Sequence, residues 1–108
     1  MEFLVALSTV VPEGTTDGEV RDRYEREAVR IRELAAGGAV LRLWRPPLEP
    51  GERGALGLFV ANDLAGVRAV LETLPLHSWM TIEITPLGVH PNDPALRGPG
   101  QSVGGGET

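Results

Sequence analysis

The sequence contains no cysteine and no lysine; its ten basic side chains, in 108 residues, are all arginine. Without thiols there is no disulfide framework, thiolate metal site or thiol nucleophile, and without lysine there is no Schiff-base chemistry. Aromatic residues are scarce at 5%. No apolar run approaches the roughly 20 residues that span a bilayer. The start, Met1-Glu2-Phe3-Leu4, lacks the basic stretch and small-residue cleavage site of a secretory signal, so a soluble, cytoplasmic protein is expected. Positive charge is in deficit as well. A net charge of −5 argues against binding to nucleic acid or to a membrane surface as the main task. The length leaves room for one domain and excludes a two-domain enzyme.

What the chain does contain is an alternation of periods. Residues 2–11 are apolar and rich in β-branched side chains, and Pro12-Glu13-Gly14 ends them, which predicts a strand. Thr16 and Glu19 have the spacing of a capping box, opening a long helix from about Asp17 to Ala36 that Gly37-Gly38 stops. Strands are predicted at 39–45, 55–61 and 79–85. A Pro/Gly/Glu-rich loop separates the first two of these, and a helix capped by Asn62 or Asp63 runs to Leu74 before the last. The order β-α-β-β-α-β is the ferredoxin-like arrangement, a four-stranded antiparallel sheet with two helices on one face, spanning residues 1–94. The segment 95–108, rich in glycine, has little to bury and is expected to be disordered.

Period-two splitting places Leu41, Leu43, Leu56, Leu58, Val60, Met80, Ile82 and Ile84 under the helices. Val40, Arg42, Trp44, Gly57, Phe59, Ala61, Trp79, Thr81 and Glu83 then fall on the open face. An uncovered patch holding Trp44, Phe59 and Trp79 predicts a homo-oligomer. The extended His90-Pro91-Asn92-Asp93 segment reads as an arm that reaches a neighbouring subunit, with His90 in a packing role.

One residue breaks the pattern. Val20, Tyr24, Ala28, Ile31, Leu34 and Ala35 define the apolar stripe of the first helix, and Glu27 falls near its centre. A buried carboxylate without a full set of partners titrates nearer neutrality and suits proton abstraction from carbon. The structural alternative is that Glu27 pairs with an arginine from the sheet or reaches the helix edge. Arg45 is either a carboxylate-binding group or the partner of Glu49 or Glu52. His77 is either a proton relay or a loop residue without a chemical task. Trp44 and Trp79 either line a pocket or form interface core. His77 and His90 have no spacing of a metal site.

The stretches Gly38-Ala-Val-Leu-Arg-Leu-Trp-Arg45 and Leu74-Pro-Leu-His-Ser-Trp-Met-Thr-Ile-Glu-Ile84, with His90-Pro91, resemble the muconolactone delta-isomerase family. The likeness covers roughly residues 1–94, apart from the loop at 46–54, which is longer here. It implies a cofactor-free isomerase, built from dimers and rings of dimers, that shifts a proton and a C=C bond on an unsaturated five-membered lactone. It also sets Glu27 against a helix glutamate of the family. On this reading Glu27 and His77 are the candidate catalytic residues, and Tyr24, Trp44, Arg45 and Trp79 the candidate substrate contacts. The chain departs from the family pattern at His77, where an aromatic residue stands, and at Leu4 and Ala6, where basic residues stand. Arg42 and Arg45 are the cations left for a substrate carboxylate. Two other readings remain open: a related isomerase or cyclase acting on a larger apolar substrate, and a non-catalytic ligand-binding or assembly module.

Overall fold

The computed structural model describes residues 1–96. The tail expected to be disordered lies almost wholly outside them. Strands β1 (Glu2–Thr9), β2 (Val40–Trp44), β3 (Arg53–Val60) and β4 (Met80–Leu87) alternate with helices α1 (Asp17–Ala36) and α2 (Leu64–Leu71) in the expected order. The strands form one antiparallel sheet in the order β2-β3-β1-β4. Core residues of both helices, Leu34, Val67 and Leu71, pack on the same sheet face as Phe3, Val5 and Leu7. This is the ferredoxin-like fold.

Local chemistry sets the boundaries. The Thr16 hydroxyl accepts the Glu19 N–H at 3.1 Å and a Glu19 carboxylate oxygen accepts the Thr16 N–H at 3.3 Å, closing the capping box. Gly38, at φ +87°, turns the chain out of α1 in a conformation that side chains with a Cβ rarely adopt. Asp63 caps α2 through the Gly66 N–H at 2.8 Å. That helix ends at Leu71, three residues before the expected stop. The Thr73 and Leu74 amides donate to Val70 and Leu71, tightening the chain into turns ahead of Pro75.

The expected faces are corrected in β2 and β3. Phe3 pairs with Phe59, Val5 with Gly57 and Leu7 with Ala55, so Phe59 is fully buried under the helices while Leu56, Leu58 and Val60 turn outward. Both faces of β3 are apolar, so alternation within the strand could not decide between them, and the register with β1 does. In β2 a bulge between Val40 and Arg42 corrects only the start of the strand and leaves Leu43 inward and Arg42 and Trp44 outward, as expected. Val40 enters the core opposite Phe59, and Trp44 faces outward opposite Leu56. Trp79 is not on the sheet face at all; it sits in a short 3-10 turn, with the Arg23 guanidinium 4.6 Å from its ring centre. The open face therefore carries Leu4, Ala6, Leu56, Leu58 and Val60 with Trp44 as its one aromatic residue, flanked by Arg42 of β2 and by Thr81, Glu83 and Thr85 of β4.

The inner face of β3 carries the small residues Ala55 and Gly57, and α1 has only Leu34 fully buried. A Cβ at Gly57 would lie 2.6 Å from the Phe59 ring and 3.2 Å from a Leu43 methyl. Gly57 thus makes room for those two side chains, and beside the small Ala55 space is left between α1 and the sheet. The corrected register predicts that Phe59→Ala destabilises the protein by about 3–5 kcal/mol, the range for emptying a buried aromatic site. Urea unfolding checks it. A change below about 1 kcal/mol would put Phe59 on the exterior instead.

Candidate active site

A cavity of about 830 Å³ occupies that space. Tyr24, Glu27 and Ile31 reach it from α1, at spacings of three and four that share one helix face. Leu7 and Thr9 of β1, Leu43 of β2 and Ala55 of β3 form its floor, and Leu76 and Met80 close one end. The remaining wall is the 45–54 segment, read from sequence as a plain loop. It crosses the opening as a strap that carries Pro46, Pro47 and Pro50. Its fold is local: the Glu52 N–H donates to the Glu49 carbonyl at 2.9 Å, and a Glu52 carboxylate oxygen accepts the Glu49 N–H at 2.8 Å. Pro50 and Gly51, the latter at φ +87°, occupy the two central positions in the manner of a type II turn.

Glu27 is half-buried, and its Oε1 accepts the Leu76 N–H at 3.0 Å. No arginine pairs with it; the ion pairs of the described residues are Arg26–Asp22 and Arg30–Glu33. Burial pushes its carboxyl above the ordinary value, while the Leu76 N–H pulls weakly the other way. The amide stabilises the carboxylate and thus opposes protonation, but one neutral donor does not replace lost water. The site accordingly holds a carboxylate with free lone pairs, beside apolar walls that disfavour its charge.

Of the residues singled out from sequence, Glu27, Tyr24 and Arg45 line this one cavity. Arg45 makes no ion pair with Glu49 or Glu52 among the described residues. His77 lies elsewhere, in a shallow groove beside Arg68, Glu72 and Ile82. Trp44 is on the open sheet face with the Arg42 guanidinium 5.1 Å from its ring centre, and Trp79 is held by Arg23. His90 shapes the arm, its Nδ1 accepting the Asn92 N–H at 2.9 Å. Two residues were missed. Arg53 reaches the cavity from the first position of β3, its guanidinium 5.2 Å from the Tyr24 ring centre. Arg23 donates to the Pro75 carbonyl at 2.9 Å and to Ser78 Oγ at 3.2 Å, one helical turn before Glu27 grips Leu76. Their helix spacing of four was visible in the sequence, but their shared target was not.

The raised Glu27 carboxyl fixes the sign of a pH effect. Between the ordinary value of 4.5 and the higher native one, the folded protein holds a proton that the unfolded chain has released. That contribution is complete below the unfolded value and is lost as pH rises through the native value. Glu27→Gln can keep the Leu76 hydrogen bond without titrating. The variant is expected to gain stability relative to wild type as pH rises from the ordinary carboxylate range toward neutrality, read by paired thermal melts. A difference independent of pH would show that Glu27 titrates normally.

The fold has a counterpart among known proteins. A crystal structure of muconolactone isomerase superimposes with a TM-score of 0.74 over 84% of this chain and 92% of its own, at 24% sequence identity. No curated protein sequence matches the chain. The family model described as muconolactone delta-isomerase matches residues 1–93. The chain therefore belongs to the muconolactone delta-isomerase family.

Proposed function

We propose that the protein is a cofactor-independent isomerase that moves a proton, and with it a C=C bond, on an unsaturated lactone or related carbonyl compound. The observation that carries this reading is Glu27, a half-buried carboxylate without a cationic partner among the described residues, facing a largely apolar cavity. A C–H next to an unsaturated carbonyl is weakly acidic. Glu27 takes that proton, the electron pair passes to the carbonyl oxygen as a dienolate, and Glu27 returns the proton at the conjugate carbon. Glu27 ends as it began, so the cycle needs no net donor or acceptor. Gln keeps nearly the same shape but accepts no proton. Glu27→Gln is expected to leave the protein folded and lower turnover about 10²–10⁴-fold, measured as isomerisation or solvent deuterium exchange on muconolactone and substituted butenolides. Equal exchange by the two proteins would make Glu27 structural.

The cavity volume favours substrates with more carbon than a bare five-membered lactone. About 830 Å³ lies within the range that holds drug-sized ligands. The walls from Leu7, Ile31, Leu43, Pro46, Pro47, Leu76 and Met80 would bury an apolar body. A series of butenolides with lengthening alkyl or aryl substituents separates the readings. Rising kcat/KM along the series supports the larger substrate, and a maximum at the unsubstituted ring supports muconolactone.

The reading includes self-association through the open sheet face and the arm. Leu4, Leu56, Leu58, Val60 and Trp44 present an apolar patch that no described element covers, and Val89 and Leu96 on the arm are exposed. Light scattering at micromolar concentration is expected to give a mass several times the 11.6 kDa of one chain. A monodisperse monomer would remove this part of the proposal.

A further inference from the structure

We propose that Tyr24 and Arg53 form the oxyanion site of this cavity, with the Tyr24 hydroxyl donating to the substrate oxygen that becomes negative and Arg53 supplying the compensating charge. The inference rests on the reading of Glu27 as the base. Its own foundation is a separate observation. Among the described side chains, the Tyr24 hydroxyl is the buried polar group that lacks a hydrogen-bond partner. Leaving such a donor unpaired costs about 1–3 kcal/mol, so its retention calls for a partner that arrives with the ligand. Tyr24 lies three residues before Glu27 on the same face of α1 and lines the same cavity. Base and donor are thus fixed to one rigid element.

Charge movement explains why a donor is needed there. Before the proton moves, the negative charge is on Glu27; afterwards Glu27 is neutral and the charge is on the dienolate oxygen. A site that holds only a base favours the second state through nothing but the strain of a buried carboxylate. A hydroxyl donor and a guanidinium favour the second state directly. Arg53 has no carboxylate partner among the described residues, and its guanidinium lies over the Tyr24 ring. A cation on the ring face also restrains the phenol ring, which helps aim its hydroxyl. Tyr24 and Arg53 both line a second, adjoining cavity of about 950 Å³ as well, so the pair stands at the partition between the two spaces. No hydrogen bond joins the Arg45–Glu52 strap to α1 among the described residues. The cover over Tyr24 is therefore free to lift as substrate enters. Arg45 lines the first cavity but not the partition.

The test uses 4-nitrophenol, whose phenolate oxygen stands for the dienolate oxygen, bound to Glu27→Gln, whose neutral amide stands for the protonated base. Visible absorbance reports the phenolate. The Glu27→Gln protein is expected to bind phenolate in preference to phenol. Adding Tyr24→Phe is expected to weaken phenolate binding at least tenfold, and adding Arg53→Met to weaken it less. In the otherwise native protein, Tyr24→Phe is expected to lower kcat by about 10²–10³, the range for one lost oxyanion donor, with a smaller change in KM. Its melting temperature should equal or exceed wild type, because the lost hydroxyl had no partner. Equal phenolate affinity with and without the Tyr24 hydroxyl overturns the proposal, and so does a fall in melting temperature of Tyr24→Phe, which would make the hydroxyl structural. The two readings fail separately. Wild type inert toward every butenolide, but with Tyr24-dependent phenolate binding in the Glu27→Gln protein, ends the base assignment and keeps the oxyanion site. Proton exchange that depends on Glu27 but not on Tyr24 does the reverse.

Discussion

The cavity exists because α1 is held away from the sheet along half its length, and hydrogen bonds from successive turns to the segment 73–78 hold it there. Arg23 donates to the Pro75 carbonyl and Glu27 accepts the Leu76 N–H, so successive turns of the helix grip adjacent peptide groups of one loop. Beyond that grip only Leu34 ties α1 fully into the core, near its C-terminal end. An apolar residue in place of Glu27 would find little to pack against opposite Ala55. The helix would instead be drawn down toward the floor, since interiors close up wherever the backbone permits. The carboxylate thus has two tasks that reinforce each other: its Oε1 fixes the helix, and the space this creates is the space in which its other oxygen works.

The electrostatics follow from the same arrangement. Desolvation outweighs the single amide bond at Glu27, since no cation among the described residues offsets it. The unpaired arginines on the rim, Arg45 and Arg53, both belong to the strap side of the cavity, opposite the helix that carries Glu27. Base and cations are held on separate elements across an apolar gap. Had they been adjacent, a salt bridge would have formed and drawn the carboxyl down, and neither group would have been free for a ligand.

Much of this was legible in the sequence, for identifiable reasons. The capping box at Thr16 and Glu19, the Gly37-Gly38 stop and the turn residues between strands act locally, so the elements and their order could be read without tertiary information. Glu27 was legible as an anomaly against a helical stripe. The inner face of β3 was not, because Leu56, Leu58 and Val60 look more like core than Gly57 and Ala55 do; the small residues face inward to leave room, and a hydrophobicity pattern scores room as weakness. Arg53 was hidden for a related reason. Proline and glycine mark a connection as a loop whether it wanders through solvent or spans a cavity, and only the pairing of Arg53 with Thr9 brings that guanidinium to Tyr24. The pairing of Arg23 with the Pro75 carbonyl spans 52 residues of sequence and has no local signature.

The bulge between Val40 and Arg42 gives the fold a way to resize its cavity without changing any side chain. It is one extra residue, and it decides that Leu43 faces Gly57 while Trp44 faces Leu56 on the far side of the sheet. Without the bulge, and with every residue kept, alternation from Val40 would set Arg42 opposite Gly57 and bring the indole of Trp44 inward opposite Ala55. The floor would be filled by the bulkiest side chain available. Within such a scaffold, ligand size can be altered by the gain or loss of one bulge in an edge strand, a step that leaves α1, its glutamate and its tyrosine where they are.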